Sequence, residues 1–124
     1  MKICNLSFGK IVILNKNLAE VIVDDGILFN EVMVDEYHDF LSNNLNTPFS
    51  LLINKKHSYS YTFGAQKKIG HFDGIKAMAV IALTSGGVMS TETLVNINGN
   101  SKWNLKLFQE REQALVWLEE EMST

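Results

Sequence analysis

The 124-residue sequence contains one cysteine, one proline and no surplus of positive charge. Each shortage excludes something. A single thiol, Cys4, cannot close an intrachain disulfide, which fits a reducing interior. Eleven Lys and Arg against fourteen Asp and Glu give a formal net charge of −3, with a pI near 5.5. Lys55-Lys56 and Lys67-Lys68 are only short basic pairs, so nucleic acid is not an expected partner. No apolar run approaches the roughly 20 residues needed to span a bilayer. Met1-Lys2-Ile3-Cys4-Asn5 opens no signal-peptide pattern, because Lys10 and Lys16 bracket the first long apolar run. The expectation is a soluble cytoplasmic protein. Histidines are also few: His38, His57 and His71 are far apart, with no His-x-x-x-His or Cys-His pair at metal spacing. Neither a metal nor a cofactor is expected. Asp35, His38 and Asp39 share neighbouring helix positions and read as solvated surface. Cys4, with no adjacent histidine, reads as a small buried apolar residue.

What is present is apolar side chain, 46% of the residues, enough for the two-layer core of one domain. Phe8 to Leu14 and Leu18 to Val23 are β-branched, apolar runs either side of Asn15-Lys16-Asn17, which predicts a hairpin. Asn30 is a good helix cap, and the spacing of Met33, Val34, Tyr37, Phe40, Leu41 and Leu45 predicts a helix from about Glu31 to Leu45. Pro48 prevents its continuation. Phe49 to Ile53 reads as a strand covered on both faces. Ser58 to Ile69 reads as a short helix capped by Ser58 or Ser60, with Gly64 weakening its middle. Ile75 to Leu83 is the most strand-like run, its Ala77, Ala79 and Ala82 allowing helices to pack close.

Thr84-Ser85-Gly86-Gly87 then turns into a helix from Val88 to about Ile97, anchored by Met89, Leu94 and Val95 and stopped by Asn98-Gly99-Asn100. Trp103, Leu105 and Leu107 alternate with Asn104 and Lys106 as a closing strand that exits at Phe108. Ala114, Leu115, Leu118 and Met122 make the stripe of a last helix from Glu110, with Trp117 on its flank and Gln109 as a weak cap. Strands alternating with helices predict a parallel or mixed sheet joined by right-handed crossovers.

Two clusters could carry chemistry. Ser58, Ser60 and Thr62 stand at a predicted helix start beside Lys55 and Lys56, where one hydroxyl would serve as a cap, or a phosphate would meet both helix start and lysines. Tyr59, Tyr61 and Phe63 alternate in the same stretch, either as core or as a partner surface. Thr84, Ser85, Gly86 and Gly87 form a glycine turn from strand to helix, which either holds an anion on backbone N–H groups or is only a tight turn. No nucleophile, base and orienter converge in the sequence, so no catalytic set is assigned.

The strand Ile75-Lys76-Ala77-Met78-Ala79-Val80-Ile81-Ala82-Leu83 and the closing pattern Leu107-Phe108-Gln109-Glu110-Arg111-Glu112-Gln113-Ala114-Leu115-Val116-Trp117-Leu118 carry a resemblance. The chain resembles the SpoIIAA-like branch of the STAS superfamily, whose closing pattern is Phe, polar or acidic residues, Ala-Leu, then Trp-Leu. The element order agrees over nearly the whole chain and the specific match over its second half. The resemblance implies an α/β fold: a mixed sheet of about five strands, opened by a hairpin and backed by about four helices. It also implies a bacterial, non-catalytic regulatory or protein-interaction domain with an unidentified protein partner. In such antagonists a serine after an aspartate, at the helix following the third strand, is phosphorylated. The corresponding region here is Ser58 to Gly64, which has no Asp-Ser pair. The STAS/SEC14-like label of some members implies the alternative, a small-molecule or lipid ligand on the carboxyl-end face of the sheet. A homodimer would cover an edge of the sheet.

Overall fold

A computed structural model describes residues 1–70, 72–97 and 104–124. His71, the Asn98-Gly99-Asn100 helix stop and Trp103 of the closing strand lie outside the described residues. The chain begins with three antiparallel strands, β1 (Lys2–Leu6), β2 (Gly9–Asn15) and β3 (Leu18–Val23). Between the last two, the Asn17 amide N–H donates to the Asn15 side chain at 2.8 Å, an Asx turn. The Asn17 side chain then donates to the carbonyls of Asn46 and Pro48 at 2.9 and 3.1 Å, which fixes the hairpin tip beside the next strand to arrive. Gly9 has φ +155°, and a Cβ there would collide with the Ile22 carbonyl, so glycine is what lets β2 start this close to β3.

After β4 (Leu28–Phe29), α1 (Glu31–Asn44) starts where the Asn30 side chain accepts from the Met33 amide at 3.0 Å. Its predicted stripe is inside, with Val34, Tyr37 and Leu41 buried. There follow β5 (Phe49–Asn54), β6 (Ser60–Tyr61), α2 (Phe63–Lys68), β7 (Ile75–Ile81), α3 (Ser85–Ile97), β8 (Leu105–Phe108) and α4 (Arg111–Met122).

The main sheet is mixed, in the order β1-β2-β3-β5-β7-β8, with β3, β5, β7 and β8 parallel. It therefore has six strands where five were expected, and a three-stranded meander opens it where a hairpin was expected. The added strand is β1, whose Lys2, Ile3 and Asn5 are exposed and offer no continuous apolar face to read. β4 and β6 form a separate two-stranded parallel pair.

Odd-numbered residues of β3 and β5 and even-numbered residues of β7 face one layer, where Phe8, Phe49, Leu51 and Met78 pack with Val34 and Leu41 of α1. On the other face Leu52, Ala77, Ala79 and Ile81 meet Ala114 and Leu118 of α4. The two alanines of β7 are what allow α4 so near the sheet. Across this second layer Glu20, 5% exposed, accepts from Arg111 at 2.7 Å and from Asn54 at 3.0 Å.

Three boundaries differ from expectation. The stretch from Ser58 is extended up to Tyr61, and the cap of α2 is Thr62, whose hydroxyl accepts from the Ala65 amide at 3.1 Å. Helix α3 starts at Ser85, not Val88, because Thr84 caps it through the Gly87 amide at 3.0 Å. That start puts Thr91 and Leu94 inside and leaves Met89 66% exposed, so Met89 is no anchor. At α4 the cap position is Glu110, not Gln109, and no side chain bonds there.

Candidate functional site

The strand β5 is apolar on the face it shares with α1, where Phe49, Leu51 and Ile53 follow one another at period two. The next residue in that series is Lys55. Its backbone N–H continues the parallel ladder by donating to the Ile81 carbonyl at 3.0 Å. The side chain is thereby committed to the same apolar face, and Lys55 is 8% exposed.

Around its ammonium the elements supply neutral groups. Ser90 of α3 accepts from Nζ at 3.0 Å. The rings of Tyr59 and Tyr61 lie 5.6 and 5.5 Å from Nζ, within cation–π range. Their hydroxyls are joined, Tyr61 donating to Tyr59 at 3.2 Å. Among the described residues the ion pairs are Lys68 with Asp35 and Arg111 with Glu20, and neither includes Lys55. Burial alone pushes the Lys55 amine down from 10.5 to about 8. The same burial pushes the Tyr59 phenol up to about 12 and raises Tyr61 and Tyr37 as well. All three phenols are therefore neutral hydrogen-bonding groups near neutral pH.

Lys55 stands at one end of a cavity of about 500 Å³. The floor is the sheet, through Ile53, Met78, Val80 and Leu105, and the walls include Tyr61, Thr91 and Leu94. At the far end the cavity reaches Gly70, Phe72 and the Asp73-Gly74 turn that leads into β7. It runs along the strands, with Lys55 near their carboxyl ends, where open α/β sheets take ligands, and Lys76 also in its lining. A site of this volume, mostly apolar with a few placed polar groups, is of the size that holds small molecules.

The residues expected from the sequence lie around this cavity and not in its lining. Ser58 and Ser60 are exposed on the outer side of the segment whose inner side carries Tyr59 and Tyr61. Ser58 donates its amide to Asp25 at 3.0 Å, and Ser60 pairs with Leu28. Thr62 is taken up as a cap. Thr84 is also a cap, while Ser85 and Gly86 are exposed in the first turn of α3 and Gly87 is part-buried behind them. Among the described residues, no three His, Cys, Asp or Glu side chains gather at metal distance, and no helix is long and apolar enough to cross a membrane.

His38 is half-buried, not surface, with its ring stacked on Phe72 at 4.4 Å. Cys4 is free and part-buried on β1. In the sequence Lys55 reads as one of a short basic pair beside Ser58, Ser60 and Thr62, not as a buried group. The signal that finds it is the odd-numbered series ending in a lysine. No protein-family model matches the chain, and neither a curated protein nor a solved structure matches it significantly.

Proposed function

We propose that the protein binds a small amphipathic anion, its carboxylate or similar acidic group on Lys55 and its apolar body along the β5–β7 face. One observation carries this: a buried ammonium that forms no ion pair among the described residues heads a mostly apolar cavity. Keeping a charge out of water costs several kcal/mol unless it is paired, and a ligand anion would be the missing pair. The geometry thus favours ligand binding over the regulatory role that the sequence resemblance puts first.

The test is a comparison of octanoate with octanol in thermal unfolding and calorimetry. The acid should raise the Tm and the alcohol should not, and Lys55→Met should lose the difference. Equal responses to acid and alcohol, or an unchanged octanoate affinity in Lys55→Met, would sink the reading.

A second reading keeps the STAS-like expectation of a regulatory domain with a protein partner in a reducing interior. Exposed Leu28, Val32 and Phe63, at 55, 76 and 68%, favour it, because β4, α1 and α2 bring them to the same end of the molecule as Ser58 and Ser60. Phosphate on Ser60 would sit beside that patch. Pairing of two copies would use the edge strand β1, where Ile3 is 58% exposed. Intact-mass analysis of native protein and light scattering check these two points.

A further inference from the structure

Lys55 is placed to act as a nucleophile as well as a charge. We propose that its Nζ condenses with the carbonyl group of an apolar aldehyde in the cavity, forming an imine. This deepens the reading of the cavity as a ligand site and rests on it, naming a second class of ligand.

Imine formation needs an amine lone pair that nothing else occupies. The Ser90 hydroxyl accepts from Nζ at 3.0 Å while its own proton goes to the Gly87 carbonyl at 3.1 Å. Toward Lys55 it is therefore an acceptor only. Thr91, buried nearby, spends its proton on the same carbonyl at 2.9 Å. The two tyrosine rings offer π faces, which donate no hydrogen bond. A neutral amine held this way directs one N–H at Ser90 and keeps its lone pair free for the cavity. No carboxylate among the described residues forms an ion pair that would hold the proton on. Burial favours the neutral amine further.

The chemistry balances without an oxidant or reductant. The Nζ lone pair attacks the carbonyl carbon, the carbon–oxygen π pair moves to oxygen, and a proton passes from nitrogen to oxygen to give the carbinolamine. The carbon–oxygen bond then breaks and the oxygen leaves as water with the second nitrogen proton, while the nitrogen pair forms the C=N bond. Apolar side chains that line the cavity, Ile53, Val80 and Leu94 among them, limit the access of the water that would reverse the step.

The experiment treats the whole protein near pH 8 with equimolar octanal and sodium cyanoborohydride, then reads intact mass and maps the alkylated peptide. The expected result is one octyl group per chain, on Lys55 ahead of the nine other lysines, slowed by excess octanoate. Alkyl groups scattered over surface lysines at equal rates would overturn the proposal. Lys55→Arg keeps the charge and cannot form the adduct, so it should retain the octanoate Tm rise and lose the preferred alkylation. Scattered alkylation with a Lys55-dependent octanoate response defeats the imine and leaves the anion site standing. A Lys55 adduct with no octanoate response supports the imine and defeats the anion site.

Discussion

Arg111 Nη2 lies 2.7 Å from Glu20 Oε1, and the two residues are 91 positions apart. The pair ties the start of α4 to the middle of β3, on the face of the sheet opposite the cavity. Burial would raise the Glu20 carboxyl, but hydrogen bonds from Arg111 and Asn54 and the charges of Arg111 and Lys56 outweigh it and hold the group below 4.5. A depressed carboxylate stabilises the fold above its unfolded pKa and loses that contribution as pH falls through the folded one. Urea midpoints should therefore decline on acidification below about pH 4.5. Arg111→Met, which leaves a buried carboxylate with one amide donor, should cost about 2–3 kcal/mol. Glu20→Gln leaves only a half-exposed guanidinium and should cost about 1 kcal/mol. Equal costs for the two would contradict this account.

Lys55→Met should make the protein more stable. The folded amine is depressed from 10.5 to about 8, so the cost of burying the ammonium is fully present below pH 8. It is relieved as pH rises toward 10.5, and wild-type stability should climb across that window. The variant removes the cost while keeping the apolar stem, for a gain on the order of 1–3 kcal/mol at neutral pH. Denaturant melts of both proteins at pH 7 and pH 10 check it, and the gap between them should shrink at the higher pH.

Thr62→Ala should cost about 1 kcal/mol through loss of the α2 cap. Ser58→Ala and Ser60→Ala, at exposed positions, should stay within about 0.5 kcal/mol of wild type. Had Ser58 or Ser60 been the cap, the order of the three melts would invert.

A chain ending at Glu112 should not show a cooperative melt. It loses Ala114 and Leu118, which are fully enclosed against β5 and β7, together with Trp117 on Phe108. Thermal unfolding by near-ultraviolet circular dichroism reads the outcome directly.

Much of the fold was legible because local signals agreed with it. Asn30 with its stripe through Leu41 marked α1, and the alternation of β8 followed by the α4 stripe marked the end of the chain. The failures were non-local. Ser58 to Tyr61 carries a period-two alternation, yet its strand partner is only Leu28–Phe29, too short to announce itself. Ser58 and Ser60 therefore read as caps of a helix running to Ile69. At the site, period two was enough to aim Lys55 inward. That Ser90 would meet it, and no acid among the described residues would, depends on how α3 lies on the sheet, which no window of sequence contains.

The cavity is built from unequal materials. Its floor is a six-stranded sheet, but Tyr59 and Tyr61 belong to a segment whose strand, β6, pairs with the two residues of β4, flanked by main-chain bonds from Gly26 to Ser58 at 2.7 Å, Ser60 to Ile27 at 3.0 Å and Thr62 to Phe29 at 2.9 Å. Such a segment opens at much lower free energy than a central strand. The aromatic side of the chamber is thus held less firmly than its sheet floor. Amide hydrogens at residues 58–62 should therefore exchange well before those of β5 and β7.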